Sequence, residues 1–478
     1  MIKGVKTKNH ATHERKSEAM KVMEQKDYEG DAGRILQTLR SFGIKVEGIT
    51  SRVGSSLTLY EVTPSIGTRI SKIRNLKDEI AVALAVPSVR IIAPMENGTI
   101  GIEVPNRQRS IIPVSDILSS QEYENTDMEL PLCIGRKVDN SVFMADLAEM
   151  PHLLVAGATG QGKSVCLNVM LMSLLGKKSP EELKLLLIDP KRVELNLYSK
   201  IEASYLAAPI VTDTDEAARK LEAVCNLMDE RYELLSSVGV RNIKEYNEIG
   251  IVEKMPYIVV IIDEYGDLIM TSVREMERTI CRIAQKARAV GIHLIISTQR
   301  PGTKIVTGNI KANFPTRIAF RTTSGVDSRL ILGQSGAEKL TGKGDMIFFN
   351  GEGLSRIQCA YASIDDVNAT CSNIQDMYAG CKFSPLFDFN KQVVVLSHPL
   401  LPNIKESIMV ASKQNNITFD SLCWLLNSLY GIVVYHSESA KLCEQMSELG
   451  VIQKLGYGKY VVVMHEEEQI SRILEKFS

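Results

Sequence analysis

Apolar residues fall along the chain in three regimes. Between about Gly33 and Leu118 the elements are short and mixed. "RILQTLRSFGIKV" (34–46) has helical spacing, "LTLYEVTP" (57–64) alternates as a strand, "ISKIRNLKDEIAVAL" (70–84) returns to helix, and "VRIIAPM" (89–95) and "TIGIEVPN" (99–106) are strands. These predict a small α+β domain, followed by "SSQEYENTDMEL" (119–130), which has the polarity of a linker. In the second regime "HLLVAG", "LKLLLID", "YIVVIIDE", "IHLIIST" and "RIAFRT" are unbroken β-branched and Leu-rich runs bounded by helical patterns. Strands buried on both faces read this way, which predicts an α/β nucleotide-binding domain with a mostly parallel sheet over about 131–368. Periodicity fades into a second linker near 369–400. Beyond it, helices at "IKESIMVASKQ", "TFDSLCWLLNSL" and "SAKLCEQMSELG", then a "GYG" turn before "KYVVVMHEE", predict a winged-helix-like domain over 401–478. Residues 1–28, polar and mixed in charge, are expected to be a flexible arm.

Composition narrows the classes. At 478 residues the chain has room for roughly three domains at about 150 residues each. A net charge of -1 makes any basic surface a local one. No apolar run approaches the roughly 18 residues of a membrane span and the start has no signal-peptide core, so a cytoplasmic protein is expected. The 9 cysteines are an odd count without a C-x-x-C pair, and the 7 histidines form no cluster, so reduced thiols and no structural metal are expected. Cys166, Cys225 and Cys281 lie in apolar helical contexts as core residues.

The chemistry begins at Gly157-Ala158-Thr159-Gly160-Gln161-Gly162-Lys163-Ser164, which satisfies G-x-x-x-x-G-K-[ST] with a buried strand before it and a helix after it, opening at Val165. Glycines let backbone N–H groups wrap phosphates, and the helix N-terminus adds partial positive charge. Lys163 is expected at the β- and γ-phosphates and Ser164 on Mg2+. "YIVVIIDEYGDL" supplies the second carboxylate strand. Asp263 at its tip is expected to hold the Mg2+ shell, and Glu264 to orient or deprotonate the attacking water. Paired acids at a buried strand end are costly unless a cation or a reaction uses them, which disfavours a nucleotide-binding scaffold without turnover. "IHLIISTQRP" ends in a polar tip whose Gln299 is a candidate sensor of hydrolysis, provided its strand neighbours that of the phosphate loop. In "REMERTICRIAQKARAVG", Arg274, Arg278, Arg282 and Lys286 recur every four residues on one side of a helix, and Arg288 extends the row. Such a stripe suits a DNA backbone or a plain solvated face, and Glu275 and Glu277 keep both readings open.

With these residues in place, the sequence resembles the FtsK/SpoIIIE family of DNA translocases. The resemblance runs in family order through "MPHLLVAGATGQGKSVCLN", "LLLIDPKRVELNLY", "MDERYELLSSVGVRNIKEYNE", "MPYIVVIIDEYGDLIM", "RIAQKARAVGIHLIISTQRP", "VTGNIKANFPTRIAF" and "SRLILGQSGAEKLTGKGDMIF". The leading domain is similar to the one that precedes the family's motor, so residues 33–350 are covered. The resemblance implies a RecA-like P-loop motor that forms a homo-hexamer around double-stranded DNA and steps along it with ATP, in chromosome or mobile-element transport. It implies nucleotide between subunits, with a neighbour's arginine near the γ-phosphate; the candidates are Arg317 and Arg329, of which Arg329 is favoured. Asp189 and Lys191 in "IDPKRVEL" match the family and lie where ligands collect, without an assigned role. Gln161 stands where the family commonly has Ser, a position that works through its backbone, so ATP binding is expected to survive. Members anchored in membranes carry spanning segments ahead of the motor; this chain shows none, and a recruiting protein at the C-terminal domain could bring it to the membrane or septum. The C-terminal region lacks the basic run of a DNA-reading helix, with only Lys441, Lys454 and Lys459, so DNA reading and protein contact both stand. The alternative to the DNA motor is a secretion or conjugation ATPase moving a protein or nucleoprotein substrate.

Overall fold

A computed structural model describes residues 28–95, 98–249, 254–271, 273–381, 403–448, 451–456 and 459–463. The expected arm, save Tyr28, and most of the second linker lie outside these residues. The chain divides into two compact units, Met1–Phe387 and Asp388–Ser478.

In the first unit the leading domain is an antiparallel sheet of β1 (Val46–Val53), β2 (Leu57–Pro64), β3 (Arg90–Ile92) and β4 (Ile100–Pro105), in the order β1-β2-β4-β3. One face packs on a helix over 28–41 and on helices Ile70–Asn75 and Lys77–Leu84. Their apolar positions, Ile35, Leu39, Ile73, Ile80 and Leu84, meet Tyr60, Val62 and Ile102 in one core. Burying each aliphatic side chain contributes about 1.5–3 kcal/mol.

The motor sheet has nine strands: β5 (Pro131–Lys137), β6 (Val142–Asp146), β7 (His152–Ala156), β8 (Leu183–Ile188), β9 (Tyr257–Ile262), β10 (Ile292–Thr298), β11 (Thr316–Phe320), β12 (Asp345–Phe349) and β13 (Leu354–Cys359). Their order is β6-β5-β13-β12-β11-β7-β10-β9-β8. The five runs read as strands in the sequence form its parallel half, β11-β7-β10-β9-β8. The remaining pairings, from β11·β12 to β5·β6, are antiparallel. The sheet is therefore mixed, where a mostly parallel one was expected. Of the added strands, β6 and β13 have half-exposed positions that hide them from a search for buried runs, whereas β5 and β12 are mostly buried and carry only short apolar runs.

Two expected linkers contain packed structure. Within 119–130 a helix, Gln121–Glu124, buries Tyr123, whose hydroxyl donates to the Ser173 carbonyl at 2.6 Å, and Leu130 is fully buried. Within 369–400 the helix Ile364–Met377 runs on past the expected boundary and buries Cys371 and Ile374. In both, a few apolar residues among many polar ones suffice to dock one face.

The leading domain is fixed to the motor by buried charge. Arg356 on β13 donates to both Asp345 oxygens, at 3.0 and 2.7 Å, and to Glu103 on β4 at 2.6 Å. All three side chains are 6% exposed or less. Burial lowers the Arg356 pKa, but the two carboxylates outweigh it and hold it above the ordinary arginine value.

The second unit has helices Ile404–Ala411, Phe419–Tyr430 and His436–Glu448. Its sheet is β14 (Asn416–Thr418), β15 (Ile452–Gly456) and β16 (Lys459–Val462), in the order β14-β16-β15. Three helices and a C-terminal hairpin were read from the sequence, and β14, three residues long, was not. Ile408, Leu422, Leu426, Leu442, Met446 and Tyr460 form its core.

Candidate active site at the phosphate loop

β7 runs into the loop at the centre of the sheet, and the helix Lys163–Lys177 leaves it. The glycines are required by space and by backbone angle. A Cβ at Gly157 would stand 2.5 Å from Phe320 Cβ, and at Gly162, whose φ is +117°, it would stand 2.9 Å from Gly344 Cα. Gly160 also has a positive φ, +74°. Ala158 N–H donates to the Arg321 carbonyl at 3.0 Å, and the Gln161 carbonyl accepts from Gly344 N–H at 2.9 Å, so both residues serve through their backbone. Ser164 and Val165 open the helix and line, with Thr159, Gly160 and Lys163, a cavity of about 1030 Å³.

Strand order brings the chemistry together. β10 lies between β7 and β9, so the tips of all three converge. Lys163, fully inside, donates to Asp263 and to Ser297 Oγ at 3.0 Å, and Ser297 Oγ donates to the same Asp263 Oδ1 at 2.9 Å. Asp263 Oδ2 is buried and accepts no hydrogen bond among the described residues. An orphaned carboxylate oxygen beside a phosphate loop is costly unless a cation takes it. The Asp263 carboxylate therefore fits Mg2+.

Glu264 follows in a left-handed conformation, φ +55°, that non-glycine residues seldom adopt. Its carboxylate, 1% exposed, accepts from Thr298 Oγ1 at 2.8 Å and Gln299 N–H at 3.1 Å, and pairs with Lys191 Nζ at 3.3 Å. Gly266 leaves room for it: a Cβ there would lie 3.2 Å from Glu264 Oε1. Burial pulls the Lys191 pKa down, but Glu264 and Asp267 outweigh it and hold it above the usual lysine value. Gln299 also reaches the phosphate loop, its Oε1 accepting from Thr159 Oγ1 at 2.7 Å. This is the adjacency on which its role as a sensor depends.

Lys191 and Thr298 had no assigned role in the sequence, although the polar end of "LLLIDPK" was the signal for the first. Asp189 shapes the loop that delivers Lys191: its Oδ2 accepts from the N–H groups of Val193, Glu194 and Leu195 at 2.9–3.0 Å.

The other candidates lie apart. Arg317 is half-buried, donates to the carbonyls of Phe314, Lys311 and Ile331, and stacks over Phe349 at 5.6 Å. Those bonds give it a structural account within this chain. Arg329 is exposed and donates to Ser335 Oγ at 2.8 Å. On the helix Val273–Lys286, Arg278, Arg282 and Lys286 are exposed, as is Arg288 beyond it. Arg282 pairs with Asp229 at 2.6 Å. The Arg274 side chain is outside the described set.

Residues 113–303 match the family model described as the FtsK/SpoIIIE family, and residues 10–106 match the FtsK alpha domain. The chain is 38% identical over 469 residues to a DNA translocase FtsK of Clostridium tetani, covering 96% of this chain and 62% of that protein. It is 45% identical over 356 residues to the DNA translocase SpoIIIE of Bacillus subtilis, covering 72% and 45%. The chain belongs to the FtsK/SpoIIIE family. It spans about half to three fifths of the length of these relatives. The FtsK/SpoIIIE fold has solved neighbours in the pCW3 conjugation coupling protein TcpA (TM-score 0.52, 23% identical, 73% of this chain and 99% of that one) and the cytoplasmic domain of the type VII secretion ATPase EccC of Thermomonospora curvata (0.50, 23%, 65% and 37%). Among the described residues of this family member, no helix is long and apolar enough to cross a membrane.

Proposed function

We propose that this FtsK/SpoIIIE chain is an ATP hydrolase that moves double-stranded DNA, working as a homo-hexameric ring in chromosome or mobile-element transport. The reading is carried by Lys163 of the phosphate loop lying against Asp263 at the tip of β9, with the adjacent Glu264 bonded to the end of β10, and it is supported by relatives that are DNA translocases. Lys163 leaves Asp263 for the β- and γ-phosphates when ATP enters. Ser164 and Asp263 would hold Mg2+, which neutralises charge on the phosphate oxygens when bound. Glu264, held by Thr298, Gln299 and Lys191, takes the proton of the attacking water. Gln299, bonded to Thr159, transmits the state of the γ-phosphate to β10 and the basic helix before it. Arg329 is the arginine proposed to act in the neighbouring subunit's site, where Arg329→Ala should suppress turnover and spare ATP binding.

A second reading, a secretion or conjugation ATPase recruited through its C-terminal unit, is favoured by one observation. The exposed side of the helix His436–Glu448 offers Glu438 and Glu444 beside a lone Lys441, a poor match to phosphates. ATP hydrolysis with and without long linear duplex separates the two. Stimulation that rises with duplex length, weakens with salt and vanishes in Lys163→Ala supports the DNA motor. Full activity that ignores duplex supports the second reading and overturns the first.

A further inference from the structure

One short stretch of chain runs from the Glu264 carboxylate to the basic helix. β10 ends at Thr298, whose Oγ1 donates to Glu264 Oε1 at 2.8 Å and accepts from Arg300 N–H at 3.1 Å. The chain then turns on itself. Gly302 N–H donates to the Arg300 carbonyl at 2.7 Å, and the N–H groups of Ile305 and Val306 both donate to the Gly302 carbonyl at 2.9 Å. Ile305 packs back against Gly266, two residues past Glu264, where a Cβ would stand 2.9 Å from Ile305 Cδ1 and 3.4 Å from Thr298 Oγ1. Val306 is buried. Residues 298–306 thus form a strap, braced by its own main-chain bonds and seated on the residues around Glu264.

The strap ends at Thr307, the N-cap of the helix Gly308–Asn313, whose Oγ1 accepts from Ile310 N–H at 3.2 Å. The same hydroxyl donates to Glu277 Oε1 at 2.6 Å. Glu277 lies on the helix Val273–Lys286, one position before Arg278. It is half-buried, and with Arg278, Arg282, Asn309 and Asn313 it lines a groove of about 510 Å³ between the two helices. Its charge also reaches the residue next to Glu264: burial, and then Glu277, hold the Tyr265 hydroxyl above the ordinary tyrosine value. A carboxylate among arginines weakens the attraction of that face for an anion, unless it serves another purpose. Here it accepts a short, charge-assisted hydrogen bond from the end of the strap.

We infer that the Thr307–Glu277 hydrogen bond is the joint through which duplex contact on the basic helix adjusts Glu264, which makes Thr307 and Glu277 positioning residues for hydrolysis. This rests on the reading of the chain as a duplex-driven ATPase. When backbone phosphates draw on Arg278, the helix shifts and Glu277 carries the end of the strap with it. The strap is braced internally, so it moves as a body, and Thr298 and Gln299 at its other end pass the shift to the Glu264 carboxylate.

The test measures ATP turnover of the full chain against duplex concentration, so that maximal stimulation and the half-saturating duplex are read separately. Thr307→Asp keeps a good N-cap but sets a second carboxylate against Glu277. Its duplex-free turnover should match the unmodified chain while maximal stimulation falls about tenfold. Adding Glu277→Gln removes the repulsion and should restore the maximum, and Thr307→Ser, which keeps both bonds, should leave it unchanged. Thr307→Val, which removes the donor without adding charge, should lower the maximum as Thr307→Asp does. Full stimulation in Thr307→Asp, a fall that Glu277→Gln does not restore, or a change confined to the half-saturating duplex each overturns the joint and leaves the motor reading standing. Loss of duplex-free turnover in both Thr307→Asp and Thr307→Val makes Thr307 a support of the site itself and overturns the joint as well. An unmodified chain that ignores duplex overturns the motor reading, and the joint with it.

Discussion

Around the phosphate loop the first unit buries charge. Lys163 lies against Asp263, Glu264 lies under Lys191, and Arg356 joins Asp345 to Glu103, with each of these carboxylates 2% exposed or less except where Asp267 also reaches Lys191. Among the described residues of the second unit the buried polar side chains are Ser407, Ser439 and Gln445, all neutral. That unit shows its character outside, where Trp424, Leu429, Val433 and Tyr435 are exposed. Desolvating a charge costs several kcal/mol unless a partner or a reaction uses it. The difference places the buried charge of the phosphate-loop site in the first unit, while the second unit holds its core without buried charge among the described residues.

The sharpest way to break this contrast is to remove the buried charges that react. Glu264→Gln should lower turnover about 10²–10⁴-fold while ATP still binds, and Lys163→Ala should lose both in a nucleotide-binding assay. Unchanged turnover in Glu264→Gln would take the base away from this residue.

Next in size is the structural triad. Arg356→Met leaves Asp345 and Glu103 buried without their cation and should destabilise the first unit by about 3–5 kcal/mol in denaturant unfolding. Trp424, the single tryptophan, lies in the second unit, so its fluorescence should report that unit's own transition at an unchanged midpoint.

A third effect sets the two candidate DNA surfaces against each other. Replacing Arg278 or Lys286 with Ala should reduce the salt slope of duplex binding by about 1 each, whereas Lys441→Ala should leave it unchanged. A reversed pattern would move DNA contact to the second unit.

The smallest effect is on acid stability. His152 and His293 are buried, and burial pushes their pKa values down to about 3 and about 4. Unfolded, each takes a proton below about pH 6.5. The unfolded state then binds more protons than the folded one, so stability is present above pH 6.5 and is lost as pH falls from there toward 4. Calorimetry of His293→Gln should show a flatter loss of Tm over that window.

How much of this was legible in the sequence follows from chain distance. Gly157 to Ser164, and Asp263 with Glu264, are local: a buried apolar run ending in glycines or acids announces itself. The parallel half of the sheet was legible for the same reason. β5, β6, β12 and β13 were not: β6 and β13 are half-exposed, and the buried apolar runs of β5 and β12 are too short to stand out before the strands pair. The bonds of Glu264 to Lys191 and Thr298 join residues 73 and 34 positions apart, and depend on β8, β9 and β10 lying side by side.

The central claim is that energy released at Lys163, Asp263 and Glu264 moves duplex DNA past the chain. Displacement of a third-strand oligonucleotide from a long duplex tests it most directly, because only a motor that travels along the duplex strips the triplex. Displacement with ATP, delayed in proportion to the distance to the triplex and absent in Glu264→Gln, is the predicted result. ATP hydrolysis that proceeds on the same duplex while the triplex stays in place would contradict it.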